Sequence, residues 1–143
     1  MNTKQLEALA REIVRDLSTD QTKAAVLATH GDTTTRLAEM GDVYQLLTKV
    51  GTRPTKAAKT ADALTVTTCG WAAPTDDNDD IPPSLHPKRR RVALVVTVNP
   101  ATGETVSALR FADDPDIITD HGQATGSLAD AVAHLAAKIR AKQ

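Results

Sequence analysis

The chain has 143 residues, a net charge of -1 from 17 Lys and Arg against 18 Asp and Glu, and 41% hydrophobic residues. That is the usual size of one domain, able to bury a core without disulfide or metal staples, and the balanced charge excludes bulk attraction to nucleic acid or an acidic membrane while leaving local patches open. A single cysteine, Cys69, excludes an internal disulfide framework and fits a reducing cytoplasm, and the absence of any apolar run near the ~20 residues of a bilayer span excludes a membrane partner by this route.

In chain order, residues 2–17 place Leu6, Leu9, Ile13, Val14 and Leu17 at helical spacing, with Asn2 and Gln5 in the positions of a capping-box variant. This predicts an amphipathic helix whose stripe serves either a core or a dimer contact, so a homodimer stays open. Residues 22–29 read as a second short helix ended by Gly31. Asp32 then caps a third carrying Leu37, Met40, Tyr44, Leu47 and Val50, unless Gly41 breaks it and Asp42 caps a separate one. Gly51 reads as its stop, and residues 51–60 as a connector.

Leu64, Val66 and Thr68 alternate with Thr65, Thr67 and Cys69, which predicts a β-branched strand stopping at Gly70-Trp71. Residues 73–87 hold Asp76, Asp77, Asp79, Asp80 and four prolines, the composition of a loop. Residues 91–98 are apolar on both faces, the mark of a central covered strand. Asn99-Pro100-Ala101-Thr102-Gly103 turns the chain, and residues 104–111 resume alternation, so a hairpin is predicted. A capping signal at Gly126-Ser127 opens a last helix with Leu128, Val132, Leu135 and Ile139 on one stripe. The predicted fold class is α+β: N-terminal helices over residues 1–50, a connector over 51–60, then residues 61–143 with a small antiparallel sheet of about three strands, a central hairpin and a C-terminal helix, all in one compact domain.

Each candidate for chemistry stands beside a plainer reading. Lys88, Arg89, Arg90 and Arg91 form a basic run suited to phosphates or carboxylates, yet alternate side chains of an extended segment point oppositely. Asp113, Asp114, Asp116, Asp120 and His121 crowd where a divalent cation would find ligands, but Asp-Asp-Pro-Asp is equally a turn. Asp76, Asn78 and Asp80 begin like a calcium loop that Ile81 and Pro87 then spoil. Cys69 has four histidines in the chain but no spacing that makes it a nucleophile. Residues 22–45 invite a helix-turn-helix with Thr33, Thr34, Thr35 and Arg36 opening the recognition helix. Leu27 and Asp32 fit that reading badly. Trp71 either anchors a partner or caps the core at a sheet edge.

Gly70-Trp71-Ala72-Ala73-Pro74, His86-Pro87 with Arg89-Arg90-Arg91-Val92, residues 110–116 reading RFADDPD, and residues 124–131 reading ATGSLADA resemble a group of small uncharacterised proteins of actinobacteria and their phages. The resemblance covers residues 60–140 and leaves out the N-terminal helices. It implies a bacterial or phage cytoplasmic setting and no catalytic role for any residue.

The expectation is therefore a non-enzymatic cytoplasmic protein, without cofactor or metal, that binds another macromolecule. A protein partner comes first, held at Trp71, Lys88, Arg89, Arg90, Arg91, Asp113, Asp114 and Asp116. The alternative is nucleic acid, bound through the basic run and a helix-turn-helix at residues 22–45.

Overall fold

The computed structural model describes residues 1–72, 85, 87–121 and 127–142. Among them six strands make one antiparallel sheet rather than the small sheet predicted, in the order β2-β1-β3-β4-β5-β6. The chain runs α1 (Thr3–Asp16), β1 (Ala24–His30), β2 (Thr33–Met40), α2 (Val43–Thr52), α3 (Lys56–Thr60), β3 (Ala63–Ala72), β4 (Arg90–Val98), β5 (Thr105–Phe111), β6 (Asp114–His121) and α4 (Ser127–Ala141). No described helix is long and apolar enough to cross a membrane.

The α1 helix starts as its sequence asks. Asn2 Oδ1 accepts from the Gln5 backbone N–H at 2.9 Å while Gln5 Oε1 accepts from the Asn2 backbone N–H at 2.8 Å, so two orphan donors are satisfied reciprocally. Its buried stripe, Leu6, Ala10 and Val14, packs on Ala93 and Val95 of β4 and Val106 and Ala108 of β5. Because strand side chains alternate, Val96 and Val98 point the other way. There they join Val26, Leu64 and Val66 under Leu46, Leu47 and Val50 of α2 and Val132, Leu135 and Ile139 of α4. The molecule is thus a sheet with α1 on one face and α2, α3 and α4 on the other.

Residues 22–40 correct the sequence reading. The predicted second helix is β1, and the first half of the predicted third is β2, joined by the two-residue turn Gly31-Asp32 with Gly31 at φ +59°. A positive φ at the first central residue is what a primed hairpin turn requires, so Gly31 ends no helix. Ala24, Val26 and Ala28 are buried on one face and Ala25 and Thr29 on the other. A strand covered on both sides shows no alternation, and its alanines read as helix. This hairpin also removes the helix-turn-helix, since Thr33, Thr34, Thr35 and Arg36 lie on an edge strand.

Asp42 does cap a separate helix, its Oδ1 accepting from the Tyr44 and Gln45 backbone N–H groups at 2.9 and 3.0 Å. Gly51 is not its stop. The helix continues to Thr52, and Gly51 is buried where α2 meets α4, a Cβ there lying 3.2 Å from Leu135 Cδ1 and from Lys138 Cδ. The predicted connector contains α3, capped by Thr55 Oγ1 accepting from the Ala58 backbone N–H at 3.2 Å. The β4–β5 hairpin is present, with Gly103 at φ +79° in its turn. One strand was not foreseen after it: β6 pairs with β5 along the segment read as an aspartate turn. The loop predicted at residues 73–87 lies almost wholly outside the described residues.

Candidate functional site

The β3–β4 register places Trp71 opposite Arg91 and Ala72 opposite Arg90. Trp71 shares the α1 face of β3 with Ala63 and Cys69 but lies beyond the end of the helix, and it is 40% exposed. Two guanidiniums lie over its ring, Arg89 at 4.9 Å and Arg91 at 5.3 Å from the centroid. Both distances fall within the range of cation–π attraction.

Arg91 is half-buried, its Nε donating to the Thr19 carbonyl at 2.9 Å and its Nη2 to the Gln21 carbonyl at 3.1 Å. Arg110, on the same face of β5, donates from Nε to the Val14 carbonyl at 3.1 Å and from Nη2 to the Leu17 carbonyl. Cys69 Sγ donates to the Ser18 carbonyl at 3.2 Å. Three strands thus bind the carbonyls at the end of α1 and in the loop after it, where cations also favour the helix dipole. Burial pushes the Cys69 thiol up, against smaller opposing effects of a Gln21 backbone hydrogen bond, Arg91 and Arg110. A raised pKa favours the protonated thiol, the less nucleophilic form.

Arg90 occupies the opposite face, stacked on Phe111 at 3.8 Å from the ring centroid. Its Nη2 donates to Asp113 Oδ1 at 2.6 Å and its Nε to Oδ2 at 2.9 Å, a bidentate pair. The hydrogen bond from Arg90 holds the Asp113 carboxyl below the usual carboxylate range. The pair is exposed, so its value is orientation rather than stability.

The sequence-predicted residues are therefore split between two faces. Trp71, Arg89 and Arg91 gather on the α1 side, while Arg90 and Asp113 gather on the other. Lys88 is exposed just before the strand, and Asp114 and Asp116 are exposed at the start of β6. Among the described residues no three His, Cys, Asp or Glu side chains converge on a metal position. The side chains of Asp120 and His121, from the predicted cluster, lie outside what the structure describes.

Two features had no counterpart in the sequence reading. One is Arg110, whose role depends on a helix terminus 93 residues away in the chain. The other is a groove of about 640 Å³ between α1 and the β1–β2 hairpin, lined by Leu9, Ile13, Leu27, Thr29 and Thr67 among others. A misread hairpin hides any groove it borders. Comparison with protein-family models, curated proteins and solved structures finds no match to this chain.

Proposed function

We propose that this chain is a non-enzymatic binding protein that docks a protein partner at the tryptophan–arginine end of the β3–β4 ladder. One observation carries the reading: an indole 40% exposed to solvent has two guanidiniums over its ring. Arg91 is fixed by two backbone carbonyls, so part of the anchor is ordered before any partner arrives. Tryptophan and arginine dominate interface hot spots, and preorganisation lowers the entropy cost of association. The guanidiniums over the ring favour a partner segment that offers a carboxylate next to an apolar side chain. The reading calls on no cofactor or metal, and a bacterial or phage cytoplasmic setting rests on the motif resemblance alone.

Nucleic acid is the weaker reading. Of the four cations in the run, Arg90 is neutralised by Asp113 and Arg91 is turned inward to carbonyls. Those two contribute correspondingly less to releasing counterions from phosphates.

The test is capture of partners from bacterial lysate by tagged wild-type protein, Trp71→Ala, Arg89→Ala and a distant control, Tyr44→Ala, each with and without nuclease. The reading expects one protein retained by wild type and Tyr44→Ala in both arms and lost from Trp71→Ala and Arg89→Ala. Equal retention by Trp71→Ala would place the docking surface elsewhere, and loss on nuclease treatment would restore the nucleic-acid reading.

A further inference from the structure

We propose that the groove between α1 and the β1–β2 hairpin binds an aliphatic amine, an alkyl chain carrying one or more ammonium groups. Among the described residues α1 packs chiefly on β4 and β5 and covers the same face of β1 only in part, so a groove lies between the helix and the β1–β2 hairpin. Its volume of about 640 Å³ lies within the range of roughly 300 to 1,000 Å³ typical of small-molecule sites.

One wall is apolar. Leu9, Ile13 and Leu17 run beside the buried stripe of α1 and are only partly covered by it, and Leu27 of β1 faces them. The floor is hydroxylic, built from Thr29, Thr34 and Thr67. Thr29 and Thr34 share one hydrogen bond of 2.8 Å, which leaves further lone pairs on both oxygens. Thr67 is the independent indication of a ligand. It is 4% exposed and makes no side-chain hydrogen bond among the described residues. No wholly buried side-chain oxygen or nitrogen there lacks a partner, so the Thr67 hydroxyl must open into the groove.

The rim sets the sign of the charge. Glu12, Asp16 and Asp32 line it, and none of the three has an ion-pair partner among the described residues. Arg36, the one cation on the lining among the described residues, is already joined to Glu39 at 3.1 Å. Glu12 and Asp16 are four residues apart on a helix, where like charges repel. Asp16 also occupies the last residue of α1, where the helix dipole favours a cation instead. Two locally unfavourable carboxylates facing one groove are explained if a cation sits there. An ammonium group supplies three donors to carboxylates and threonine oxygens, and its methylene stem lies along the leucines and Ile13. A bare metal ion fits worse, since no three ligands converge among the described residues.

The same chemistry arrives on a free amine or on a lysine side chain, so the test uses both. The full chain is titrated with methylammonium, hexylammonium, spermidine and a blocked lysine at low salt, and the backbone amides are followed by NMR. Saturable shifts centred on Leu27, Thr29 and Thr67 are expected, with hexylammonium tighter than methylammonium by roughly fourfold for each methylene fully buried. Glu12→Gln and Asp16→Asn relieve repulsion and so leave the fold intact. Each should weaken binding about two- to fivefold, the worth of an exposed ion pair. Thr67→Val should weaken it further, and Trp71→Ala should leave it unchanged. Spermidine binding more tightly than blocked lysine would identify a free amine, and the reverse a protein-borne lysine. Equal affinity for methylammonium and hexylammonium, or shifts centred on Asp114 and Asp116, would overturn the site.

Discussion

Arg110 of β5 donates its Nε–H to the carbonyl of Val14 in α1 at 3.1 Å, a bond that spans 96 residues of chain. A second donor of the same guanidinium takes the Leu17 carbonyl. Hydrogen bonds from charged groups contribute about 1.5 to 3 kcal/mol, and removing the donor strands partly buried carbonyls. Arg110→Met should therefore lower stability by about 2 to 3 kcal/mol in urea denaturation. Arg110→Lys should recover only part of it, because an ammonium lacks the planar fork that spans two acceptors. An unchanged urea midpoint in Arg110→Met would remove the helix end from the list of stabilising contacts.

Thr65 and Thr97 share a buried hydroxyl hydrogen bond of 3.0 Å between adjacent strands. Replacing one partner leaves the other without a hydrogen bond, at about 1 to 3 kcal/mol, whereas replacing both by isosteric apolar groups is close to neutral. Thr65→Val and Thr97→Val should each destabilise, and the double variant should be more stable than either. Additive losses in this double-mutant cycle would contradict the geometry.

Asp113 titrates below ordinary carboxylates because Arg90 hydrogen-bonds its charged form. Its folded-state pKa is depressed, so any contribution to stability is present above the unfolded value and lost as pH falls through the folded one. An NMR titration should find the Asp113 carboxyl among the last to protonate as pH drops. Arg90→Gln should return it toward the ordinary range, while the fold persists because the pair is exposed.

Gly51 tests the seam between α2 and α4. Alanine gains about 1 kcal/mol of helix propensity over glycine, but its Cβ would meet Leu135 Cδ1 and Lys138 Cδ at 3.2 Å. The two effects oppose each other, and Gly51→Ala should shift the thermal midpoint little. Gly51→Leu has no such room and should cost about 1 to 3 kcal/mol by overpacking. A stabilised leucine variant would mean that the helices part more easily than their contact implies.

The sequence reading succeeded where one physical signal dominated. The α1 stripe and its Asn2–Gln5 cap, the β3 alternation, and the turn between β4 and β5 all lay in local spacing. It failed at β1, where cover on both faces removed the period and alanines imitated helix. It also missed β6, because Asp114, Pro115 and Asp116 begin an exposed edge strand with the composition of a turn. A usable signal for the first hairpin did exist. Gly31-Asp32 stands between Thr29 and the β-branched Thr33, Thr34 and Thr35, the pattern of a two-residue hairpin turn. For the site, alternation along residues 89–91 already implied two faces. Which of those arginines would turn inward depended on the end of α1, and nothing near them in the chain announces that.

The position of α1 also governs how the chain can be divided. The first helix covers strands that come late in sequence, while the hairpin that follows it adds to β3. A cut between α2 and α3 therefore cannot yield two independent folding units. The C-terminal fragment would expose Ala93, Val95, Val106 and Ala108, and the N-terminal one would carry the helix that shields them. Each piece is the missing half of the other's interior, which makes the α2–α3 junction the natural place to build a split version whose halves regain structure only on reassociation.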